Sequence, residues 1–110
     1  MGLPGLEFDV ARNLRTIEWL KAELLNGLSV LFKGMLKGND DSILEALANL
    51  VMCCYLLGQR LGVSFSRLDH KIQNKVEANI RRSHEIEQWY GDFSALKAYL
   101  KEKEGAVGAR

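Results

Sequence analysis

Four polar side chains with oxygen ligand atoms stand at helical spacing within two apolar segments of the chain. Glu23 and Asn26 are three residues apart, and Glu45 and Asn49 are four apart, so each pair shares one face of a helix. If the two helices pack antiparallel, as a short connection favours, the pairs face each other. Facing carboxylates inside a helical bundle bind divalent metals, and Mg²⁺ prefers oxygen ligands. The four residues are therefore candidate metal ligands.

A structural interpretation of the same residues stays open. Asn49 lies in the apolar run from Ala46 to Leu57, where a lone amide can fix the register or the oligomeric state of packed helices. Glu23 and Asn26 can equally be solvated side chains on a helix surface. Spacing alone does not separate a metal site from these two structural roles.

A second polar cluster lies further along the chain. Lys71, Lys75, Asn79 and Arg82 are spaced four, four and three residues apart, so they form one stripe on a helix. Arginine binds phosphate oxygens as a fork, and lysine binds them as a point charge. The stripe predicts either a phosphate-binding edge or the solvated face of an amphipathic helix.

The hydrophobic periodicity predicts an all-α bundle of about four helices. The only proline is Pro4, and glycines fall between the periodic segments, so we expect helices at about residues 9–37, 42–61, 66–88 and 93–102. The first helix is apolar over a broad surface, which favours packing into an oligomeric bundle, a homodimer or a larger homo-oligomer. We expect residues 1–103 to form a single domain and residues 104–110 a flexible tail.

Composition excludes several classes of function. The 110-residue chain is 47% hydrophobic and 26% charged, as globular domains are, and its net charge of +1 argues against a general DNA or RNA binder. Cys53 and Cys54 are adjacent, and neighbouring residues on a helix point in different directions, so these two are poorly placed to form a disulfide. Free cysteines of this kind are typical of a reducing compartment. The apolar run at 46–57 is short for a membrane span, and no leader sequence is evident. A cytoplasmic protein without a membrane partner is expected.

The chain resembles the MazG-like proteins of the all-α NTP pyrophosphohydrolase superfamily over about residues 14–83. The resemblance rests on "WLKAELLNGL" in the first helix, on "ILEALANLVMCCYLLGQRLGVSF" in the second and on "KVEANIRR" in the third. The stretch "EQWYGDFSAL" is similar to a shorter MazG-like subgroup. The resemblance implies a helical bundle and a relation to enzymes that use magnesium to cleave nucleoside triphosphates into a monophosphate and pyrophosphate.

The same resemblance implies that the metal motif is degenerate. Family enzymes carry Glu-Glu-x-x-Glu on the first helix, which falls on Ala22, Glu23 and Asn26 here. Their Glu-x-x-Asp on the second helix falls on Ala46 and Asn49. Only Glu23 keeps a carboxylate, so magnesium binding is expected to be weakened or lost.

The phosphate motif implied by the resemblance is retained in the third helix. The family pattern Lys-x-x-x-Asn-x-x-Arg falls on Lys75, Asn79 and Arg82. The leading hypothesis is a protein that binds a nucleotide or another phosphorylated small molecule with lost or much weakened catalysis. Two alternatives remain: an active Mg²⁺-dependent (d)NTP pyrophosphohydrolase that uses Glu23 and Glu45, and a structural bundle without a ligand.

Overall fold

The described part of the chain consists of helices joined by short connections. The computed structural model describes residues 4–108, and the side chains of residues 8–105. Over this range it contains no strand and five helices: α1 (Pro4–Lys37), α2 (Asp40–Arg60), α3 (Phe65–Arg81), α4 (Glu85–Tyr90) and α5 (Asp92–Gly108). The all-α prediction is confirmed, with five helices in place of about four. The first helix begins at Pro4 rather than near residue 9, since proline suits the first turn of a helix.

The chain consists of two compact units. The first runs up to Phe65 and contains α1 and α2, and the second begins at Ser66 and contains α4, α5 and most of α3. The single domain expected over residues 1–103 stays a prediction.

A tight turn joins α1 to α2. Gly38 has a φ of 63°, the left-handed conformation that glycine adopts without strain. The backbone N–H groups of Gly38 and Asn39 donate to the carbonyls of Met35 and Gly34 at 3.2 and 3.0 Å. The Asn39 side chain accepts from the N–H of Ser42 at 3.1 Å. Asn39 is therefore the N-cap, and α2 begins at Asp40 rather than at residue 42.

Two glycines on α1 bring the helices of the first unit close together. A Cβ atom on Gly27 would lie 2.9 Å from Leu50 Cδ2, and one on Gly34 would lie 3.3 Å from Ile43 Cγ1. Gly27, the earlier glycine of α1, lies against the later residue Leu50 of α2, whereas Gly34 lies against the earlier residue Ile43. This reversed order confirms that α1 and α2 pack antiparallel. The buried apolar side chains described in this unit belong to the same contact: Leu20, Ala46 and Cys53.

Replacement of Gly27 by valine is expected to destabilise the first unit by about 2 kcal/mol, because overpacking a helix contact forces neighbouring atoms apart. Gly105→Val in α5 is the matched control, since a Cβ atom there meets nothing within 4 Å. Both substitutions replace a glycine within a helix by valine. Urea unfolding followed by circular dichroism measures the difference, and an equal loss in both variants would contradict the close approach of α1 and α2.

The helix α2 is the most apolar of the described helices. It ends at Arg60, and Gly62 follows with a φ of 90°, in the left-handed region that glycine adopts without strain. By length and composition it is the one described helix that is long and apolar enough to cross a membrane, with a mean hydropathy of 1.4, although the run at 46–57 alone is short. Only 11% of this segment is buried in the structure. Core helices of soluble proteins share this length and composition, so the feature by itself is weak evidence for a membrane span.

In the second unit, α3 ends at Arg81, seven residues before the predicted end near residue 88. Ser83 adopts a φ of 52°, and the N–H of His84 donates to the carbonyl of Asn79 at 3.1 Å, which closes the helix. The His84 Nδ1 atom then accepts from the N–H of Ile86 at 3.1 Å and caps α4. The stop was missed because serine, not glycine, holds the left-handed position.

A second corner joins α4 to α5 and is held by one carboxylate. Gly91 has a φ of 67° at the predicted break, and the Glu87 carboxylate accepts from the N–H of Ser94 at 3.1 Å and from its hydroxyl at 2.5 Å. The helix α5 continues to Gly108, so residues 104–108 of the expected tail are helical. Residues 109–110 of that tail lie outside the described residues.

Two polar contacts connect α5 to α3. The Lys97 ammonium lies 2.8 Å from the Glu77 carboxylate, and this hydrogen bond lowers the pKa of Glu77. The Gln73 amide donates to the Glu104 carboxylate at 3.3 Å. Both pairs are exposed at the surface, so they orient α5 more than they stabilise it.

Candidate functional site

A cavity of about 340 Å³ opens between α1 and α2. It lies beside the close approach of the two helices, where small residues leave space next to the contact. Its lining combines amides, a hydroxyl, one carboxylate and short apolar groups: Asn26, Gly27, Val30, Ser42, Glu45, Ala46 and Asn49. Three of the four candidate metal ligands therefore line one cavity.

Asn49 occupies the inner side of this cavity and is half-buried. Its amide nitrogen lies 3.9 Å from the position that a Cβ atom on Gly27 would take, so the side chain points toward α1. Its Oδ1 atom accepts a weak hydrogen bond from the Cys53 thiol at 4.0 Å. The amide within the apolar run thus faces a polar cavity rather than a dry core.

Glu23 is half-buried and does not line the cavity. Burial first, and then the negative charge of Glu23, raise the pKa of the Cys53 thiol above its ordinary value. Glu23 is therefore close enough to Cys53 to act on it electrostatically, whereas Glu45, which is exposed, lines the cavity itself. The two candidate carboxylates have different surroundings.

The residues present do not fit a dedicated magnesium site. The cavity lining contains one carboxylate, from Glu45, together with the neutral oxygens of Asn26, Ser42 and Asn49. Because Mg²⁺ dehydrates reluctantly, a lining with one carboxylate does not hold it without further anionic oxygens, such as those of substrate phosphates. Within the described part of the chain, no group of three or more His, Cys, Asp or Glu side chains is placed to hold a metal ion.

The polar stripe of α3 is connected by hydrogen bonds within the second unit. The Asn79 amide nitrogen donates to the Lys75 carbonyl at 3.0 Å, and the Arg82 guanidinium donates to Asn79 Oδ1. Asn79 is half-buried, whereas Lys71, Lys75 and Arg82 are exposed. Asn79 therefore holds the guanidinium of Arg82 against the end of α3.

The cations of this stripe are available to an anion. Among the side chains of residues 8–105, neither Lys75 nor Arg82 forms an ion pair with a carboxylate. Arg82 keeps further N–H donors beyond the one that Asn79 accepts. The arrangement suits phosphate oxygens, which guanidinium and ammonium groups bind by charge-assisted hydrogen bonds.

Sequence reasoning missed part of the cavity. Gly27, Val30 and Ser42 line it, although none of them was expected to belong to a site. The available signal was the seven-residue spacing of the small residues Gly27 and Gly34 on α1. Such spacing places small side chains on one helix face and allows a close approach of the partner helix.

Comparison with known proteins identifies a family for this chain. The family model described as MazG-like family matches residues 10–93, a range that includes every candidate residue of both units. No curated protein matches the chain, and no solved structure matches it either.

Proposed function

Because the chain belongs to the MazG-like family, which is related to nucleoside triphosphate pyrophosphohydrolases, we propose that it binds a nucleotide or another phosphorylated small molecule and hydrolyses it weakly or not at all. The observation that carries this proposal is the donor set of the α1–α2 cavity. Its single carboxylate is accompanied by two amides and one hydroxyl.

The cavity chemistry accounts for the proposed loss of turnover. A magnesium ion assists phosphoanhydride cleavage by neutralising the charge on phosphate oxygens and by activating water. The protein must hold the ion in place, and Asn26 and Asn49 offer neutral oxygens while Ala46 offers none. Even changes outside the ligand set typically weaken metal binding by about 10–100-fold, so the loss of several carboxylates is more severe.

The α3 stripe supports the proposed binding. Lys75 and Arg82 provide two unpaired positive charges, and the hydrogen bond to Asn79 limits the motion of the guanidinium. A donor that is already oriented loses less conformational entropy when a ligand binds. These groups require no metal to attract a phosphate.

One observation favours an active enzyme as the second candidate. Glu45 lines the same cavity as Asn26 and Asn49, so a single carboxylate and substrate phosphates are available to a weakly held ion. Under this alternative, Glu23 would have to supply the second carboxylate from outside the cavity lining. A bundle without any ligand is the third candidate.

The compartment proposed for this function is the cytoplasm. Cys53 and Cys54 are both free thiols, although they are adjacent in the chain. Free cysteines are typical of reducing compartments.

An assay of a nucleotide panel tests the proposal. Pyrophosphate release with Mg²⁺ or Mn²⁺ is measured beside nucleotide binding by calorimetry, both with and without a chelator. We expect binding that persists with the chelator and no turnover above that of a buffer control. Metal-dependent turnover that Glu45→Gln or Glu23→Gln abolishes would establish the active enzyme instead. Absence of both binding and turnover would leave the ligand-free bundle.

A further inference from the structure

The α1–α2 cavity carries hydrogen-bonding groups that the protein itself leaves unused. Ser42, Glu45 and Asn49 are three and four residues apart on one flank of α2, and Asn26 lines the same cavity from α1. Among the described residues, the side chains of Asn26, Ser42 and Glu45 form no hydrogen bond or ion pair with another protein group. Asn49 accepts the weak bond from the Cys53 thiol, which leaves its N–H donors free. Four polar side chains of this cavity are therefore available to a ligand.

The length of the polar lining suits an extended ligand rather than one ion. Ser42 and Asn49 are seven residues apart, so their Cα atoms lie about 10 Å apart along α2. A metal ion lies about 2.0–2.6 Å from each oxygen ligand and reaches only part of this lining. The cavity volume of about 340 Å³ is at the lower end of the range for small-molecule pockets, which is about 300–1,000 Å³. A small organic molecule therefore matches the space better than an ion does.

The charge of the lining disfavours a phosphate group inside the cavity. Glu45 is the single charged side chain of the lining, and its carboxylate repels other anions. An ionised carboxylate only accepts hydrogen bonds, whereas an amide both donates and accepts them. The best occupant therefore presents N–H or O–H donors to Glu45 and a mixture of donors and acceptors to Asn26 and Asn49.

The inner wall of the cavity is built from small side chains. Gly27 and Ala46 are both buried, and Val30 lines the cavity beside them. No long side chain projects from this wall, so a flat ring can lie against it while the edge of the ring reaches the polar groups. Enzymes that bind isolated nucleobases use the same combination of apolar packing and hydrogen bonds to the edge of the base.

We propose that the α1–α2 cavity binds a nucleobase by its hydrogen-bonding edge, with guanine as the preferred base. Guanine carries two neighbouring N–H donors on one edge, one on a ring nitrogen and one on its amino group. Two parallel N–H groups bind a carboxylate such as that of Glu45 in a bidentate manner, as arginine does. Asn26 and Asn49 complete the contact, since asparagine amides pair with the edges of bases. The proposal rests on the proposed function insofar as the ligand is a nucleotide, but it concerns this cavity alone.

A titration with free nucleosides tests the proposal, because a nucleoside has a base but no phosphate. Guanosine and inosine are titrated into the full chain with a chelator present, and NMR follows the side-chain amide signals of Asn26 and Asn49. Inosine is the matched ligand, since it lacks only the amino group of guanosine. Guanosine should shift both amide signals and bind at least about tenfold more tightly than inosine, because inosine cannot form one of the charge-assisted hydrogen bonds.

Glu45→Gln removes the charge of the cavity and keeps the length of the side chain. Because Glu45 is exposed, the variant should fold as the wild-type chain does. It should weaken guanosine binding by at least about tenfold and reduce the preference over inosine. Glu18→Gln is the matched control, since Glu18 is an exposed glutamate of α1 outside the cavity lining. It should leave guanosine binding unchanged.

The proposal would be overturned if guanosine does not bind, binds no better than inosine, or binds equally well to the Glu45→Gln variant. Tripolyphosphate, which has phosphates but no base, separates these results from failure of the proposed function. Binding of tripolyphosphate without binding of guanosine would refute the base site and leave phosphate binding intact. If guanosine binds, tripolyphosphate does not, and guanosine triphosphate binds no more tightly than guanosine, the base site stands and phosphate binding fails.

Discussion

A triple variant with Asn26→Glu, Ala46→Glu and Asn49→Asp is expected to bind Mg²⁺ or Mn²⁺ at least about 100-fold more tightly than the wild-type chain. All three positions line the α1–α2 cavity together with Glu45. The substitutions therefore add three carboxylates to the existing one in a space of about 340 Å³. Divalent cations favour such anionic oxygen ligands over neutral amides. Isothermal titration calorimetry measures the change in affinity.

The control for this variant keeps the size of the side chains without the charge. Asn26→Gln combined with Ala46→Gln places similar volumes in the cavity and should leave metal affinity unchanged. In the triple variant the metal-free protein should unfold at a lower temperature, because like charges repel one another, and Mg²⁺ should restore its stability. A correctly folded triple variant with wild-type affinity would show that these positions do not converge on one ion.

Loss of either exposed cation of the α3 stripe is expected to weaken nucleotide binding by at least about tenfold, since a charge-assisted hydrogen bond contributes on the order of 1.5–3 kcal/mol. Arg82→Ala removes the guanidinium that Asn79 orients. Lys75→Ala removes the ammonium one turn before Asn79. Calorimetry or fluorescence titration with the nucleotide that binds most tightly in the panel measures both.

Arg81→Ala is the matched control for the stripe. Arg81 carries the same charge beside Arg82 and is exposed, but it points from another side of α3. It should change affinity little apart from a general electrostatic effect that added salt suppresses. Equal losses for Arg81→Ala and Arg82→Ala would mean that only net charge matters. The stripe would then not be a binding site.

The sequence was most informative where glycine marks the end of a helix. Gly62 and Gly91 take the left-handed conformation after α2 and α4, and both lie where the sequence predicts a break between helices. Ser83 takes the same conformation after α3, but serine rarely does so, and the predicted helix continued past it. The length of α5 was underestimated because its last turns carry little apolar periodicity, and the contact of Glu104 with Gln73 is not visible in the sequence.

The candidate site was predictable only in part. Asn26, Glu45 and Asn49 could be grouped because their spacing fixes a helix face and the short turn fixes antiparallel packing. The remaining lining residues depend on the register between the helices, which the contact of Gly27 with Leu50 determines. The sequence also could not show that Glu45 lines the cavity whereas Glu23 acts on Cys53.

The two-residue turn at Gly38 and Asn39 has a consequence for the order of assembly. Contacts close to the turn, such as Gly34 with Ile43, close a short loop and cost little chain entropy, whereas Gly27 with Leu50 closes a longer one. We therefore expect the hairpin to form progressively from its turn toward its open end, with the low contact order typical of fast-folding helical proteins. The cavity, which lies nearer the turn, should then be shaped before the N-terminal half of α1 has docked.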